Sequence, residues 1–320
     1  MSDSKAGLVS GVKATGDLHI GNYFGAMRQF VELTKEGKSR PFIFVADYHA
    51  LNTMQDAEEM RRRTREIVMA YLAIGLDPKD VVFFKQSDVP AHTELAWIFD
   101  TITTMPYLMR AHAFKDAEAK NKEINVGTFN YPMLMAADIL LYDAAIVPVG
   151  ADQKQHIEIA RDTAEKFNRV FKTDVFKLPE PHILPEVAVV PGTDGQKMSK
   201  SYGNVIPLFA SREELAKAVM SIVTDSSGER PENVYRIHRL FRSEVNLDAL
   251  YEEHKGNYKA LKETLIEDLD RYLAPIRTKY EELKTDSGIV DEVLETGKRE
   301  ARAVSEAKME QVRKAIGVAP

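Results

Sequence analysis

The stretch GLVSGVKATGDLHIGNYFGAM, residues 7–27, decides how the chain is read. Its first six residues are apolar and glycine-punctuated, as a short buried strand is. Beyond it, Ile20, Phe24, Met27, Phe30, Val31 and Leu33 recur at near-helical spacing until Gly37, so a helix is expected there. Between the two, Gly11, Gly16 and Gly21 allow close backbone approach, and the helix start offers unpaired N–H groups to an anion. His19 and Asn22 lie three residues apart and can face one ligand from the first turn. For His19 alone, the bland alternative is a satisfied polar residue at a helix start. The glycine spacing is neither GxxxxGK followed by Ser or Thr nor GxGxxG, which argues against a P-loop and a plain dinucleotide fold.

Working outward, the alternation repeats. PFIFVA (41–46), VVFF (81–84) and AIVPVG (145–150) read as strands. Helical patterns run from about Asp56 to Ala73 and through AHTELAWIFDTI (91–102), YPMLMAADILLY (131–142) and DQKQHIEIARDTAEKF (152–167). Such alternation implies an α/β fold with a doubly wound, mainly parallel, Rossmann-type sheet. Ligands on such sheets bind at the carboxyl ends of the strands. After Asn204 strand-like runs stop and amphipathic helices dominate, for example Leu247–Leu273 and Asp291–Ile316. The expected organisation is an α/β domain over 1–204, with an insertion at about 104–145 and a loop at 192–204, followed by a helical domain over 205–320.

With 320 residues, 44% of them hydrophobic, the chain can bury a sizeable core. The absence of cysteine excludes disulfides, thiolate zinc sites and cysteine nucleophiles. No apolar run approaches the roughly 18 residues of a membrane span, and MSDSKAGLVSG lacks a signal pattern. No membrane partner is therefore expected, and the cytoplasm is the default location. A net charge of −6 argues against a protein that coats nucleic acid non-specifically.

A second glycine-rich stretch, GTDGQKMSKSYGN (192–204), sets Lys197 and Lys200 three residues apart beside Ser199 and Ser201, between Gly192, Gly195 and Gly203. Most such runs are solvated lysine turns. The sharper reading is a mobile cationic loop for a polyanion that arrives, reacts and leaves, with Gly195 and Gly203 as hinges. In YPMLMAADILLY, helical spacing puts Tyr131, Met135, Asp138 and Tyr142 on one face. An aspartate in so apolar a run is costly to bury without a donor. That donor is either an arginine elsewhere in the chain or a substrate group. An indole N–H and a phenol O–H both fit.

HIGN followed by KMSKS resembles the two signatures of class I aminoacyl-tRNA synthetases, and the likeness covers essentially the whole chain. Asn22 stands where the family's first motif usually ends in histidine, as it commonly does in the tryptophanyl branch. MAADILLY, VPVGADQKQHIEIARDTAEKFN, GDLHIGNYFGAM and ADYHAL are similar to that branch specifically. The resemblance implies activation of L-tryptophan by ATP, with Mg2+ held through the phosphates, then transfer to tRNA(Trp). It implies catalytic roles for His19, Asn22, Lys197 and Lys200. The ATP site would comprise these with Lys13, Thr15, Gly16, Gly21, Lys115, Gly150, Asp152, Met198, Ser199 and Ser201. Asp138 would read the indole nitrogen and Met135 line the ring slot, Val9 and Gly11 would lie at the substrate, Tyr131 and Gln153 would hold the α-ammonium, and His49 or Lys13 would approach the carboxylate. Chemistry suits this set, because adenylate formation needs charge stabilisation and positioning rather than a protein nucleophile. Lys13 stands where many bacterial members carry glutamine, and Ala117 where a second lysine often lies.

The insertion at about 104–145 leaves no room for a hydrolytic editing domain, and the family makes its homodimer there. The C-terminal helices resemble an anticodon-reading domain. Their basic residues Lys298, Arg299, Arg302, Lys308, Arg313 and Lys314, like those of MRRRTR (60–65), suit a solvated helix face as well as an RNA contact. A tyrosyl relative, a non-catalytic RNA-binding paralogue and a small-metabolite adenylyltransferase are the competing readings. The intact KMSKS counts against the last two.

Overall fold

The strands are β1 Gly7–Val12, β2 Phe42–Val45, β3 Val82–Lys85, β4 Ala144–Val149 and β5 Glu180–Ile183. They form one parallel sheet in the order β3-β2-β1-β4-β5. This is the expected doubly wound order, which reverses direction beside β1. The computed structural model describes residues 7–14, 17–35, 40–119, 124–149, 154–183, 189–224 and 230–319. Strand β5 is an addition to the expected set. Its sequence EPHI carries a proline, which an edge position tolerates.

Alternation along the strands divides the core. Ile43, Val45 and Phe83 pack on one face, against α2 (Arg28–Lys35) and α4 (Ala57–Ala73). Val9, Phe44, Val82 and Phe84 pack on the other, against α5 (Ala91–Ile102), α8 (Val126–Leu140) and α9 (Lys154–Val170). A short helix α3 (Asp47–Ala50) follows β2, and α6 (Met105–Leu108) with α7 (His112–Ala119) precedes α8. Helix α4 starts at Asp56, whose carboxylate accepts the Glu58 and Glu59 N–H groups at 2.9 Å each.

The opening helix differs from the expected regular one. It begins as a single α-turn, α1 (Ile20–Asn22), widens into a π-helical segment at Tyr23–Met27 and resumes as α2. The widened turn brings Tyr23, Phe24 and Met27 all inward. Tyr23 bonds the Tyr272 hydroxyl at 3.1 Å, and Phe24 stacks on Phe241 at 6.1 Å between centroids. Such π segments cluster near functional sites.

Beyond the lysine loop come α10 (Arg212–Met220), α11 (Glu232–His238), α12 (Glu244–Glu253), α13 (Tyr258–Thr285) and α14 (Ser287–Ile316). Helix α10 is started by a capping box between Ser211 and Glu214. Helix α13 packs on α10 and α4, whereas α14 returns to the sheet. Ala301, Met309 and Val312 of α14 are buried in the same core as Phe84. Gly297 lies so close to the Phe83 backbone that a Cβ there would overlap it. Three basic residues of α14 bond elsewhere in the molecule. Lys308 pairs with Asp143 at 2.7 Å and donates to the Val175 carbonyl at 2.9 Å. Arg313 pairs with Glu94 at 2.6 Å, and Arg302 donates to the Asp88 carbonyl at 2.5 Å. In MRRRTR, Arg62 and Arg63 pair with Glu59, and Arg65 pairs with Asp291.

Gly297→Ala should destabilise the protein by about 1–3 kcal/mol, overpacking outweighing the helix propensity gained. Urea unfolding checks this as a lowered midpoint at unchanged slope.

Candidate functional site

Two backbone bonds fasten the opening helix to the chain just after the lysine loop. The Ile20 N–H donates to the Ile206 carbonyl, and the Leu208 N–H to the Leu18 carbonyl, each at 2.9 Å. His19 precedes the first turn, and Asn22 caps it by accepting the His19 N–H at 3.1 Å. The His19 ring is buried, and its Nδ1 has no partner among the described residues. Burial, reinforced by the Lys200 charge, lowers its pKa to about 4, so the imidazole is neutral at pH 7. Gly21 is glycine for a local reason. A Cβ there would lie 2.8 Å from His19 Nδ1 and 3.2 Å from Met198 Cβ.

That second contact brings the two signatures together. Met198 is buried in the core that contains Ile20, while Lys197 and Lys200 on either side stay exposed. The loop is a tight hairpin in which the Met198 N–H donates to the Val190 carbonyl at 2.9 Å. Gly195 and Gly203 take left-handed backbone angles, φ +83° and +64°, which glycine adopts without strain. Buried Asn204 holds the turn closed: its side chain accepts the Ser199 N–H at 2.7 Å and donates to Asp194 at 2.7 Å. Nothing in the sequence pattern marks Asn204 for this role. Lys200 lies 3.5 Å from Asp17; partial burial lowers its pKa, against the opposing pull of Asp17. The Ser199 and Ser201 hydroxyls are 2.9 Å apart.

Asp138 lies within α8, 2% exposed. Its partners are histidines and an amide rather than an arginine. Oδ1 accepts from Gln86 Nε2 at 2.7 Å and His92 Nδ1 at 2.6 Å, and Oδ2 accepts from His49 Nε2 at 2.9 Å. Burial alone would raise the carboxyl's pKa, but the donors and charge of His49 and His92 override it and bring it down to about 2. Gln86 and His92 are the functional residues that sequence reasoning missed. The available signals were a polar residue directly after β3 and a histidine on the apolar face of α5 with Leu95 and Phe99. Asp47 keeps these turns in place by accepting the Ser87 N–H at 3.0 Å, which joins the chain after β2 to the chain after β3.

Near Asp138, Met135 is half-buried, and the Tyr131 hydroxyl bonds His156. Val9 is buried in the sheet core. Gly11 leaves room for the Phe44 ring, which a Cβ would meet at 2.8 Å. Lys13 and Lys115 stand exposed, the latter on α7. Thr15, Gly16, Gly150, Asp152 and Gln153 lie outside the described residues.

Comparison with known proteins gives the family. The family model of the class I tRNA synthetases (W and Y) matches residues 1–285. The chain belongs to this family. It is 46% identical over 318 residues to a tryptophan–tRNA ligase of Fusobacterium nucleatum, covering 97% of each chain. It resembles a crystal structure of tryptophanyl-tRNA synthetase from Campylobacter jejuni complexed with ADP and tryptophan, at TM-score 0.91 and 42% identity over 97% of this chain and 99% of that one. A tryptophanyl-tRNA synthetase from Mycoplasma pneumoniae matches at TM-score 0.80 and 30% identity, over 98% of each chain.

The His19 environment carries a pH signature. Between about pH 4 and pH 6.5 the unfolded chain binds more protons than the folded one, so this residue makes stability fall as pH drops through that window. The thermal midpoint of His19→Asn should therefore fall less between pH 7 and pH 5 than that of the parent, as differential scanning fluorimetry measures.

Proposed function

We infer that the chain activates L-tryptophan with ATP to tryptophanyl-adenylate and transfers the tryptophanyl group to tRNA(Trp). The observation that carries this reading is the pair of backbone bonds, Ile20 to Ile206 and Leu208 to Leu18, with Met198 packed in the same core as Ile20, which sets the lysine turn beside the histidine-bearing helix start. In the first step a tryptophan carboxylate oxygen attacks the α-phosphorus, the bond to the β-phosphate bridge breaks, and pyrophosphate leaves. Lys197 and Lys200 are positioned to neutralise the charge gathering on that leaving group, and neutral His19 offers hydrogen bonding without adding charge. In the second step a terminal ribose hydroxyl of tRNA attacks the carbonyl and AMP leaves.

The loop's ammonium and hydroxyl groups suit phosphate oxygens. Among the described residues no group of three or more His, Cys, Asp or Glu converges as a cation cage. We assign Mg2+ to the phosphate oxygens of ATP, where it would neutralise part of their charge. Asp138 is the acceptor we assign to the indole N–H, with Met135 beside the ring and Tyr131 and Gln153 at the α-ammonium. His49, whose Nε2 bonds Asp138, or Lys13 is the contact we assign to the carboxylate. The remaining ATP contacts are proposed as the sequence suggests, at Thr15, Gly16, Lys115, Gly150, Asp152, Ser199 and Ser201.

We assign tRNA anticodon binding to the helices of 205–320, and a homodimer contact to residues of about 104–145. Met105 and Val126, 66% and 74% exposed, supply apolar surface in that segment, with Trp97 (70% exposed) on neighbouring α5. No helix among the described residues is long and apolar enough to cross a membrane, and the cytoplasm is the proposed location.

ATP–pyrophosphate exchange should be stimulated by tryptophan and not by tyrosine; the reverse pattern would assign the chain to tyrosine. Lys200→Ala should lower the exchange rate by about 100-fold while the KM for tryptophan moves less than threefold, because the lysine's partner charge develops in the transition state. Met105→Lys should shift the sedimentation coefficient from dimer towards monomer.

A further inference from the structure

The carboxylate of Asp138 has about four acceptor positions. Three are filled from the protein, two of them on Oδ1 by Gln86 and His92. Among the described residues one position remains, and it is on Oδ2. Which oxygen faces a ligand is thus settled by the groups behind the carboxylate rather than by the ligand.

His92 is the centre of that arrangement. It is fully buried, ringed by Phe44 and Phe84 at 5.6 and 6.1 Å between centroids. Its Nδ1 meets a carboxylate that can only accept, so the ring proton sits there. The other nitrogen, Nε2, lies 2.8 Å from the Tyr142 hydroxyl. That nitrogen pairs with the hydroxyl, which burial holds protonated at any ordinary pH. Tyr142 is itself fixed by stacking on Phe42 at 4.6 Å. Tyr142, His92 and Asp138 are thus joined in one buried chain in which His92 Nδ1–H donates to Asp138 Oδ1. Turning the His92 ring so that a lone pair met the carboxylate would leave buried acceptors facing each other, at a high cost in so apolar a setting.

We propose that Tyr142, His92 and Gln86 are positioning residues that lock Asp138 as an acceptor-only group with a single open site, and so set the enzyme's selectivity for an amino acid bearing a ring N–H. This deepens the reading in which Asp138 meets the indole nitrogen, and it rests on that reading. A carboxylate so held cannot turn to offer a proton, so a ring atom without a hydrogen leaves a buried charge unpaired. Without the lock, Asp138 can swing, admit water or take a proton, and the penalty against such a ring shrinks.

The test compares tryptophan with its benzothienyl analogue, in which sulfur replaces the ring N–H, as substrates for ATP–pyrophosphate exchange by the full-length protein. The readout is the ratio of kcat/KM for the two amino acids. Tyr142→Phe removes one oxygen atom and keeps the ring stack, so folding is preserved; His92→Asn is the second variant and Asp138→Asn the reference. The proposal expects the ratio to fall at least tenfold in Tyr142→Phe and His92→Asn, through the tryptophan KM, with the KM for ATP within twofold of the parent. If both amino acids lose equally in these variants while Asp138→Asn still collapses the ratio, the lock is wrong and Asp138's own role stands. If Asp138→Asn leaves the ratio untouched, the assignment of Asp138 to the indole nitrogen fails, and the lock fails with it.

Discussion

A buried carboxylate that must remain charged is the constraint around which this molecule is arranged. Asp138 sits on a helix behind the sheet, and an ion in that position is tolerable only if donors surround it. The donors come from three separate segments: His49 from the turn after β2, Gln86 from the turn after β3, and His92 from the first turn of α5. Satisfying one charge therefore sets the relative positions of two strand ends and two helices. Asp47 repeats the device on a smaller scale, bonding the Ser87 backbone. The stretches between strands are thereby stiffened where a ligand needs fixed walls.

The nucleotide side works by a different principle. Its parts touch lightly: one methionine against one glycine, two backbone bonds, and an asparagine that holds a hairpin shut. Charge is kept at the exposed tips, on Lys197 and Lys200, while the neutral histidine is kept inside. On the function proposed above, a rigid acceptor for the amino acid and a hinged cationic turn for the phosphates would be consistent demands, since the first would discriminate and the second would release pyrophosphate.

Much of this was legible in the chain, and the parts that were not share a cause. Strands β1 to β4 and helix α5 follow from short apolar runs and near-3.6 spacing, and the two signature stretches show their chemistry when read as a pair. The π segment at Tyr23–Met27 was hidden because its extra residue is accommodated by Tyr272 and Phe241, some 220 to 250 positions away. His92 looked like one more residue of an amphipathic helix. Only the fold reveals that Asp138 and Tyr142 lie on either side of its ring. Lys308 and Arg313 read equally well as an RNA-facing stripe, and three-dimensional pairing with Asp143 and Glu94 turns them inward. Charge patterns fix what a side chain can do, and distant partners fix what it does.

Helix α14 covers β3, the outermost strand on its side of the sheet. An uncovered strand edge is an invitation to pair with another chain. During synthesis that edge stays bare until α14 has left the ribosome. The strands must therefore wait, with their sheet half-guarded, for a helix made long after them to arrive and close it. Cells making this protein have reason to shield the nascent chain through that interval.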